Sequence, residues 1–219
     1  MQAFRESFVT YASSVVARGT KRGSYAVGRE RRERILAVAS QRFFEAGYSQ
    51  TSLAEVARAV GITTPGLTHH FPTKQHLLLA IVEHRLDVAQ GMADAASGEP
   101  DGIRTIQLLQ SISDTIASDP ALITLFVLVS AETADPSSPV HALFAQRYER
   151  AVEDIASSFE AEARAGAIRS DLDYRALARE CIAVSDGLQL QWVVAGGGID
   201  LSGLIRAHLD RVSRLIAID

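Results

Sequence analysis

Two short helical segments separated by a glycine, within residues 51–74, constrain the fold of this chain more than any other feature. Ser52 and Glu55 have the spacing of a capping box, which predicts a helix that begins after Ser52 and ends about two turns later at Gly61. Thr63 is placed to cap a second short helix. Two short helices joined by a glycine turn are typical of a helix-turn-helix.

A longer helix is predicted in front of this pair. From Arg29 onward, Ile35, Ala39 and Phe43 recur on one helical face, and Gly47 supplies the stop. The pattern therefore indicates a head of three helices, in which the first one supports the other two.

The second short helix, residues 63–70, is predicted to be an exposed recognition helix. Its apolar neighbours Ile62, Leu67 and Phe71 would anchor it, and the small residues between them would let it approach base edges in a major groove closely. Lys74 follows it, and an ammonium there suits a phosphate. The candidate DNA-contact residues are Ser52, Thr63, Thr64, Pro65, Gly66, Thr68, His69, His70 and Lys74.

Charge is distributed unevenly along the chain. Residues 1–86 carry 12 Lys and Arg against 6 Asp and Glu, whereas residues 87–219 carry 10 against 20. Such asymmetry suggests that the first part meets a polyanion. Arginines 29, 31, 32 and 34 belong either to an arm that reaches DNA or to a solvated surface. Residues 1–28 are interpreted as an N-terminal extension, because Gly19, Gly23 and Gly28 interrupt its helical spacing.

Beyond Gly102 the sequence predicts five more helices and no convincing strand. Asp173 and Asp200 are placed to cap the last two, and Gly196–Gly198 would end the first of these. The apolar run 122–129 is the ambiguous element, because its periodicity fits a strand as well as a buried helix. The expected fold is all-α: an N-terminal extension (1–28), a helix-turn-helix domain (29–75) and a larger helical domain (76–219).

Several classes of protein are excluded or disfavoured by what the chain lacks. Cys181 is the only cysteine, so a disulfide framework and a cysteine-rich metal site are excluded. There is no run of about 18 uncharged apolar residues and no secretory signal, so we expect no membrane span and a cytoplasmic location. Adjacent His69 and His70 point apart on a helix, so no metal site is expected. We also expect no cofactor and no enzymatic activity, because the nucleophile, zinc and phosphate-loop motifs are missing.

A pocket for a small apolar or amphipathic molecule is expected in the larger domain, since ligand sites are mainly apolar and aromatic. Each side chain considered for this pocket could equally belong to plain core. The candidates are Val82, Leu108, Ile112, Phe126, Phe144, Tyr148, Leu188 and Trp192.

The head resembles the DNA-binding domain of the tetracycline-repressor (TetR) family of bacterial regulators. About 55 residues, from Arg32 to Leu86, match it in register, and Thr68 departs from it where the family commonly has an aromatic residue. The segments that carry the resemblance are Phe43–Tyr48, Thr51–Leu53, Val56–Ala57, Gly61–Thr63, Leu67, His69–Lys74 and Leu77–Leu78.

The resemblance implies that the larger domain binds a small effector and forms a homodimer through its last two helices, near 173–195 and 200–217. Segments 166–173 and 186–188 are similar to those that precede and form the first of that pair. It also implies a repressor that binds a pseudo-palindromic operator and is released by the effector; an activator would use the same head. An adaptor that keeps the helix-turn-helix as a scaffold, and more weakly an enzyme acting on the bound molecule, remain alternatives.

Overall fold

Helices form all the regular secondary structure in the part of the chain that the computed structural model describes, residues 24–96 and 103–218, without the side chains of 24–27, 88–90 and 92–96. This confirms the expected all-α class. The helices are α1 (Ser24–Ala46), α2 (Leu53–Val60), α3 (Thr64–His70), α4 (Lys74–Ala96), α5 (Arg104–Ala117), α6 (Pro120–Thr133), α7 (His141–Arg164), α8 (Tyr174–Val194) and α9 (Leu201–Ile216).

The side-chain caps predicted from the sequence are present. Ser52 Oγ accepts a hydrogen bond from the Glu55 amide at 3.2 Å, and Glu55 Oε2 accepts one from the Ser52 amide at 2.7 Å. Thr63, Asp173 and Asp200 cap α3, α8 and α9 in the same way, each through a side-chain oxygen that accepts an amide proton from the first turn. These caps fix where the helices begin.

Two helix starts differ from the prediction. Helix α1 begins at Ser24 and runs through Gly28, so Gly28 does not interrupt it. A glycine inside a helix costs only about 1 kcal/mol, which a 23-residue helix tolerates. Helix α7 begins at His141 rather than at Ser138–Pro139, and its N-cap Val140 makes no side-chain cap. The rest of the predicted extension, residues 1–23, lies outside the described residues.

The run 122–129 is helical and belongs to α6. Leu122, Ile123, Leu125 and Val129 are buried within it. Burial on most sides explains why its sequence carries no clear helical periodicity.

The chain divides into two compact units, with the division between Ile81 and Val82, inside α4. In the first unit, α1, α2, α3 and the start of α4 contribute buried apolar side chains, as the three-helix head requires. These include Ile35, Leu36, Phe43, Val56, Val60, Leu67, Phe71, Leu77 and Leu78.

The second unit has its main core among α5, α6, α7, α8 and α9. The Phe159 and Tyr174 rings stack there with centroids 5.5 Å apart. Glu162 of α7 accepts the Thr105 amide at 2.9 Å and so caps the start of α5. The buried members of this core are Ile106, Ile123, Phe159, Ile168, Tyr174, Leu177, Cys181, Leu201, Ile205, Leu209, Val212 and Ile216.

No single helix in the described ranges is long and apolar enough to cross a membrane. Helices α5 and α6 reach that length and hydropathy only as a pair, with a bend of 98° between them. Within the same ranges, no group of three or more His, Cys, Asp or Glu side chains is placed to hold a metal ion.

Candidate nucleic-acid interface and effector region

Helix α3 buries one side and exposes the other. Leu67 is fully buried and Phe71, its C-cap, is 2 % exposed. Of the candidate DNA-contact residues on this helix and its cap, Gly66 and Thr68 are half-buried, and the others are exposed: Thr63, Thr64, Pro65, His69 and His70. The head therefore presents a short helix whose outer face consists of small hydroxyl residues, a proline and two histidines.

Two hydroxyl groups on this face are used within the helix. Thr63 Oγ1 accepts the Gly66 amide at 3.2 Å, and Thr68 Oγ1 donates to the Pro65 carbonyl at 3.3 Å. Among the described residues, the Thr64 side chain makes no hydrogen bond that would occupy its hydroxyl. Thr64 is thus the hydroxyl on α3 that is best placed to meet an outside partner.

The Lys74 ammonium binds backbone carbonyls within the head. Its Nζ donates to three carbonyl oxygens of the α1–α2 loop: Tyr48 at 2.7 Å, Thr51 at 3.0 Å and Ser49 at 3.4 Å. The ammonium also lies 4.3 Å from the centroid of the Tyr48 ring. An ammonium has three protons, and this arrangement offers an acceptor within the head to each of them; the predicted phosphate contact stays a prediction. Lys74 ties the loop to the start of α4.

The four arginines at the start of α1 are all exposed, and two of them have partners on the head. The Arg32 guanidinium lies 5.3 Å from the centroid of the Phe71 ring, so this exposed side chain lies against the head. Arg29 Nε lies 3.8 Å from the Glu33 carboxylate on the exposed surface of the same helix. Arg31 and Arg34 are exposed and stay candidates for the predicted arm.

Three of the expected pocket residues form an aromatic cluster, Phe126–Phe144–Tyr148, on α6 and α7. The ring centroids of Phe126 and Phe144 are 6.1 Å apart, and those of Phe144 and Tyr148 are 5.1 Å apart in an edge-on arrangement. Asp186 of α8 joins this cluster, because Tyr148 Oη donates to its Oδ2 at 2.5 Å. Aromatic rings and a carboxylate from three helices are thereby brought together.

Burial dominates the electrostatics of this pair. Burial and, next, the Asp186 charge raise the pKa of Tyr148, so its phenol stays protonated and acts as a donor. Burial raises the pKa of Asp186 to about 6, while the Tyr148 hydrogen bond lowers it and only partly offsets the burial. The carboxyl is therefore mostly ionised at neutral pH.

Asp186 is the residue of this region that the pocket prediction missed. Segment 186–188 was noted only for its family resemblance, not as part of a pocket. Asp186 lies two positions from Val184 and from Leu188, off the apolar stripe of α8, so the helical spacing gives no signal of its burial. Its partner lies 38 positions earlier in the chain, a separation that helical periodicity does not encode.

The other expected pocket residues lie on α4, α5 and α8. Leu188 and Trp192 pack against the main core of the second unit. A Cβ on Gly197 would come within 3.2 Å of the Trp192 ring, and Gly197 has φ +84°, so glycine is required there. Val82 is fully buried. Leu108 and Ile112 are half-buried on α5.

Cys181 is a buried core residue. Burial raises the pKa of its thiol to about 11, so the group stays protonated near neutral pH. A protonated thiol is a poor nucleophile.

The last two helices each expose two large apolar side chains at helical spacing. Ala183, Gly187, Leu190 and Val194 follow one another on α8 with the 4-3-4 spacing of a single helical face, and Leu190 and Val194 are 50 % and 80 % exposed. On α9 the same spacing relates Leu204, His208, Arg211 and Leu215, of which both leucines are nearly half exposed. Large exposed apolar side chains at such spacing are typical of a protein interface.

An exposed recognition-type helix on a three-helix head, followed by a separate helical unit, defines a helix-turn-helix regulator with a second helical domain. Comparison with known families agrees with this class. Residues 35–81 match the N-terminal model of the bacterial regulatory proteins of the tetR family, and residues 106–217 match the C-terminal model of the BetI-type transcriptional repressors. The chain belongs to the TetR family of transcriptional regulators.

Similar proteins cover most of the chain. The HTH-type transcriptional regulator TtgR of Pseudomonas putida is 25% identical over 83% of this chain and 89% of its own length. The HTH-type transcriptional regulator BetI of Burkholderia thailandensis is 28% identical over 85% of this chain and 94% of its own. A transcriptional regulator of Saccharomonospora viridis, solved in complex with choline, has the same fold, with a TM-score of 0.67, 23% identity and coverage of 87% and 100%.

Proposed function

We propose that this protein is a homodimeric transcriptional repressor that binds a pseudo-palindromic operator and is released from it by a small molecule. The exposed outer face of α3, held by the buried Leu67, is the observation that carries the proposal. A dimer would present two such helices, each to the major groove of one half-site. The base-contacting groups would be the hydroxyl of Thr64 and the exposed side chains of His69 and His70.

Two comparisons support the finer parts of this proposal. The C-terminal match is to a domain type described as that of transcriptional repressors, which favours repression. The choline complex of the S. viridis regulator supports a small-molecule effector for a protein of this fold.

Helix α4 is the proposed transmitter of the effector signal. Arg85 is 8 % exposed on this helix, and its Nη1 lies 2.5 Å from Oδ2 of Asp119, the N-cap residue of α6. Effector binding that moves α6 or α7 would therefore pull on α4 through a buried guanidinium. The effector must favour the DNA-incompetent arrangement, and a coupling of about 1–3 kcal/mol is typical of such systems.

Replacing Thr64 with alanine is expected to change base preference rather than general DNA affinity. The variant loses one hydroxyl that points away from the head, so discrimination at one base pair of each half-site should fall by about 1 kcal/mol. Binding to the operator and to a set of single-base variants, measured by fluorescence anisotropy, checks this.

Gln41→Ala on α1 is the matched control, because Gln41 is exposed and bonds only to Glu45 among the described residues. It should leave the preference unchanged. The wild type should lose roughly 10³–10⁵ in affinity between 50 and 200 mM salt, as about 6–10 phosphate contacts require. A flat salt response, or a Thr64→Ala variant with unaltered preference, would contradict the proposed interface.

The proposed dimer interface is the exposed apolar face of α8 and α9 described above. Pairing two copies of this face would form a four-helix interface across a two-fold axis. Leu190, Val194, Leu204 and Leu215 would then leave water together.

The double substitution Leu190→Glu and Leu204→Glu is expected to convert the dimer to monomers. Two carboxylates per subunit would have to be buried at the interface without partners, which costs several kcal/mol in total. Sedimentation velocity measures the oligomeric state of the wild type and of the double variant. Leu143→Glu on α7 is the control, since Leu143 is also 45 % exposed but lies outside this face. A dimer that survives the double substitution would place the interface elsewhere.

A further inference from the structure

One side of α5 carries a polar stripe that is half-buried for most of its length. Its members follow one another at spacings of three and four residues, which places them along a single helical face. Such a face is normally apolar where it is half-buried, so polar side chains there are informative. The stripe consists of Gln107, Gln110, Ser111, Asp114, Thr115 and Ser118, of which only Asp114 and Ser118 are exposed.

The polar stripe lines a cleft between α5 and α9, to which α9 contributes Arg206. The cleft has a volume of about 520 Å³ and is open to solvent. Ligand sites usually measure about 300–1,000 Å³, so the volume is sufficient for a small molecule. Residues 107–118 span about 16 Å of helix at 1.5 Å per residue, so an elongated molecule fits better than a compact one.

An exposed ion pair crosses this cleft. Arg206 Nη2 donates to Asp114 Oδ2 at 2.7 Å, and the two side chains are 53% and 45% exposed. The remaining N–H groups of the guanidinium have no acceptor among the described residues, and the second carboxylate oxygen has no donor there. The pair therefore keeps both donors and acceptors for a further partner.

Two neutral groups of the stripe are also unused within the described residues. Gln110 Nε2 donates to Asp210 of α9 at 3.3 Å, but its Oε1 accepts no hydrogen bond. The Ser111 hydroxyl makes no hydrogen bond there either. Ser113, which lies off the stripe, differs in this respect, because its hydroxyl donates to the Leu109 carbonyl at 2.7 Å.

The chemistry of the cleft favours a neutral molecule that is rich in hydroxyl groups. A hydroxyl both donates and accepts, so two neighbouring hydroxyls can accept from the guanidinium and donate to the carboxylate while the ion pair stays intact. A charged ligand would instead compete with one member of the pair. None of the side chains that line the cleft is aliphatic or aromatic, so an apolar ligand gains little there.

The proposed dimer leaves this cleft open. Arg206 lies about 200° around α9 from Leu204, at 3.6 residues per turn, whereas Leu215 lies close to the direction of Leu204. The cleft and the exposed apolar face of α8 and α9 are thus on different sides of α9. The cleft also shares no residue with the aromatic cluster Phe126–Phe144–Tyr148.

We propose that the cleft between α5 and α9 is a binding site for a neutral linear oligosaccharide. Neighbouring hydroxyls of the sugar bind the Arg206–Asp114 pair, and further hydroxyls along the chain bind Gln110 and Ser111. The site does not depend on DNA binding or on the effector of the proposed function. Because the cleft is open, we expect an affinity of about 1 mM.

Amide NMR of the 219-residue chain tests the site with maltotriose and cellotriose, two neutral trisaccharides of different shape. N-acetyltriglycine amide, a neutral peptide of similar length, is the comparison ligand. At least one sugar should bind and shift the amides of 107–118 and 206–210, and the peptide should bind at least tenfold more weakly. Sugars raise the unfolding midpoint of proteins in general because they are excluded from protein surfaces, so chemical shifts are the suitable readout.

The double variant Gln110→Met with Ser111→Ala is expected to weaken the sugar by about tenfold or more, because both side-chain contacts are lost. Its matched control is Ser113→Ala with Gln146→Met, since Ser113 lies off the stripe and Gln146 is exposed on α7. The control should bind like the wild type. Arg206→Gln, at an exposed position, should also weaken binding and serves if the double variant does not fold.

Four results would overturn the proposal. The first is that neither trisaccharide binds at concentrations up to about 20 mM. The second is that the peptide binds as tightly as the sugars. The third is that the shifted amides lie outside 107–118 and 206–210. The fourth is that Arg206→Gln and the folded double variant bind the sugar as tightly as the control. Operator binding is unaffected by any of these results, so the proposed function is tested separately.

Discussion

Replacing Lys74 with methionine is expected to destabilise the head and to weaken DNA binding without changing its salt dependence. Methionine keeps most of the aliphatic stem but leaves the carbonyls of Tyr48 and Thr51 without their shared donor. Losing charge-assisted hydrogen bonds at a half-buried site should cost about 2 kcal/mol. Because the α1–α2 loop leads directly into the capping box of α2, a looser loop should also lower operator affinity about tenfold.

Salt dependence distinguishes this structural role from the phosphate contact that the sequence alone suggested. A lost phosphate contact would reduce the slope of log K against log salt by about one per subunit, whereas a lost loop anchor leaves the slope unchanged. Arg31→Met is the control, since it removes one exposed positive charge from the same head. It should leave urea unfolding and the hydrogen exchange of α2 and α3 unaltered. A reduced slope with wild-type stability in Lys74→Met would restore the phosphate role.

The contrast between Lys74 and Ser52 shows what the sequence could predict. Ser52 and its partner Glu55 are three positions apart, so the residue types and the spacing together determine the hydrogen bonds of the cap. Lys74 reaches carbonyls 23 to 26 positions earlier, and any backbone carbonyl offers the same chemistry. The sequence therefore indicated the charge but not its acceptors.

The aromatic cluster Phe126–Phe144–Tyr148 was predictable in composition and less so in arrangement. Phe126, Phe144 and Tyr148 were expected together because aromatic residues line pockets, and the structure does bring them together. Trp192 fitted the same pattern but packs on the core beneath Gly197. The difference depends on how α6, α7 and α8 pack, which no local spacing records.

Replacing Asp186 with asparagine is expected to make the effector-free protein more stable at neutral pH. The carboxyl has its pKa raised from 3.8 to about 6 by burial, so the folded chain holds its proton more tightly than the unfolded chain. The wild-type free energy of unfolding therefore falls as pH rises through this window, by about 2–3 kcal/mol. Asparagine does not titrate, and its amide oxygen can still accept the Tyr148 proton.

The pH dependence of the stability gained by Asp186→Asn identifies the cause of that gain. Well below pH 3.8 the aspartate is neutral in both the folded and the unfolded chain, so the stability difference that comes from ionisation should vanish; it should grow between about pH 4 and 6 and level off above about pH 7. Urea unfolding across this pH range measures the difference in free energy of unfolding between the two proteins. The protein concentration is held fixed, because stability and dimerisation are linked. The control Asp154→Asn, at an exposed position on α7, should show no such pH-dependent gain. If Asp186→Asn is instead less stable than the wild type at pH 7 and above, the ionised carboxylate has a favourable partner in the folded protein.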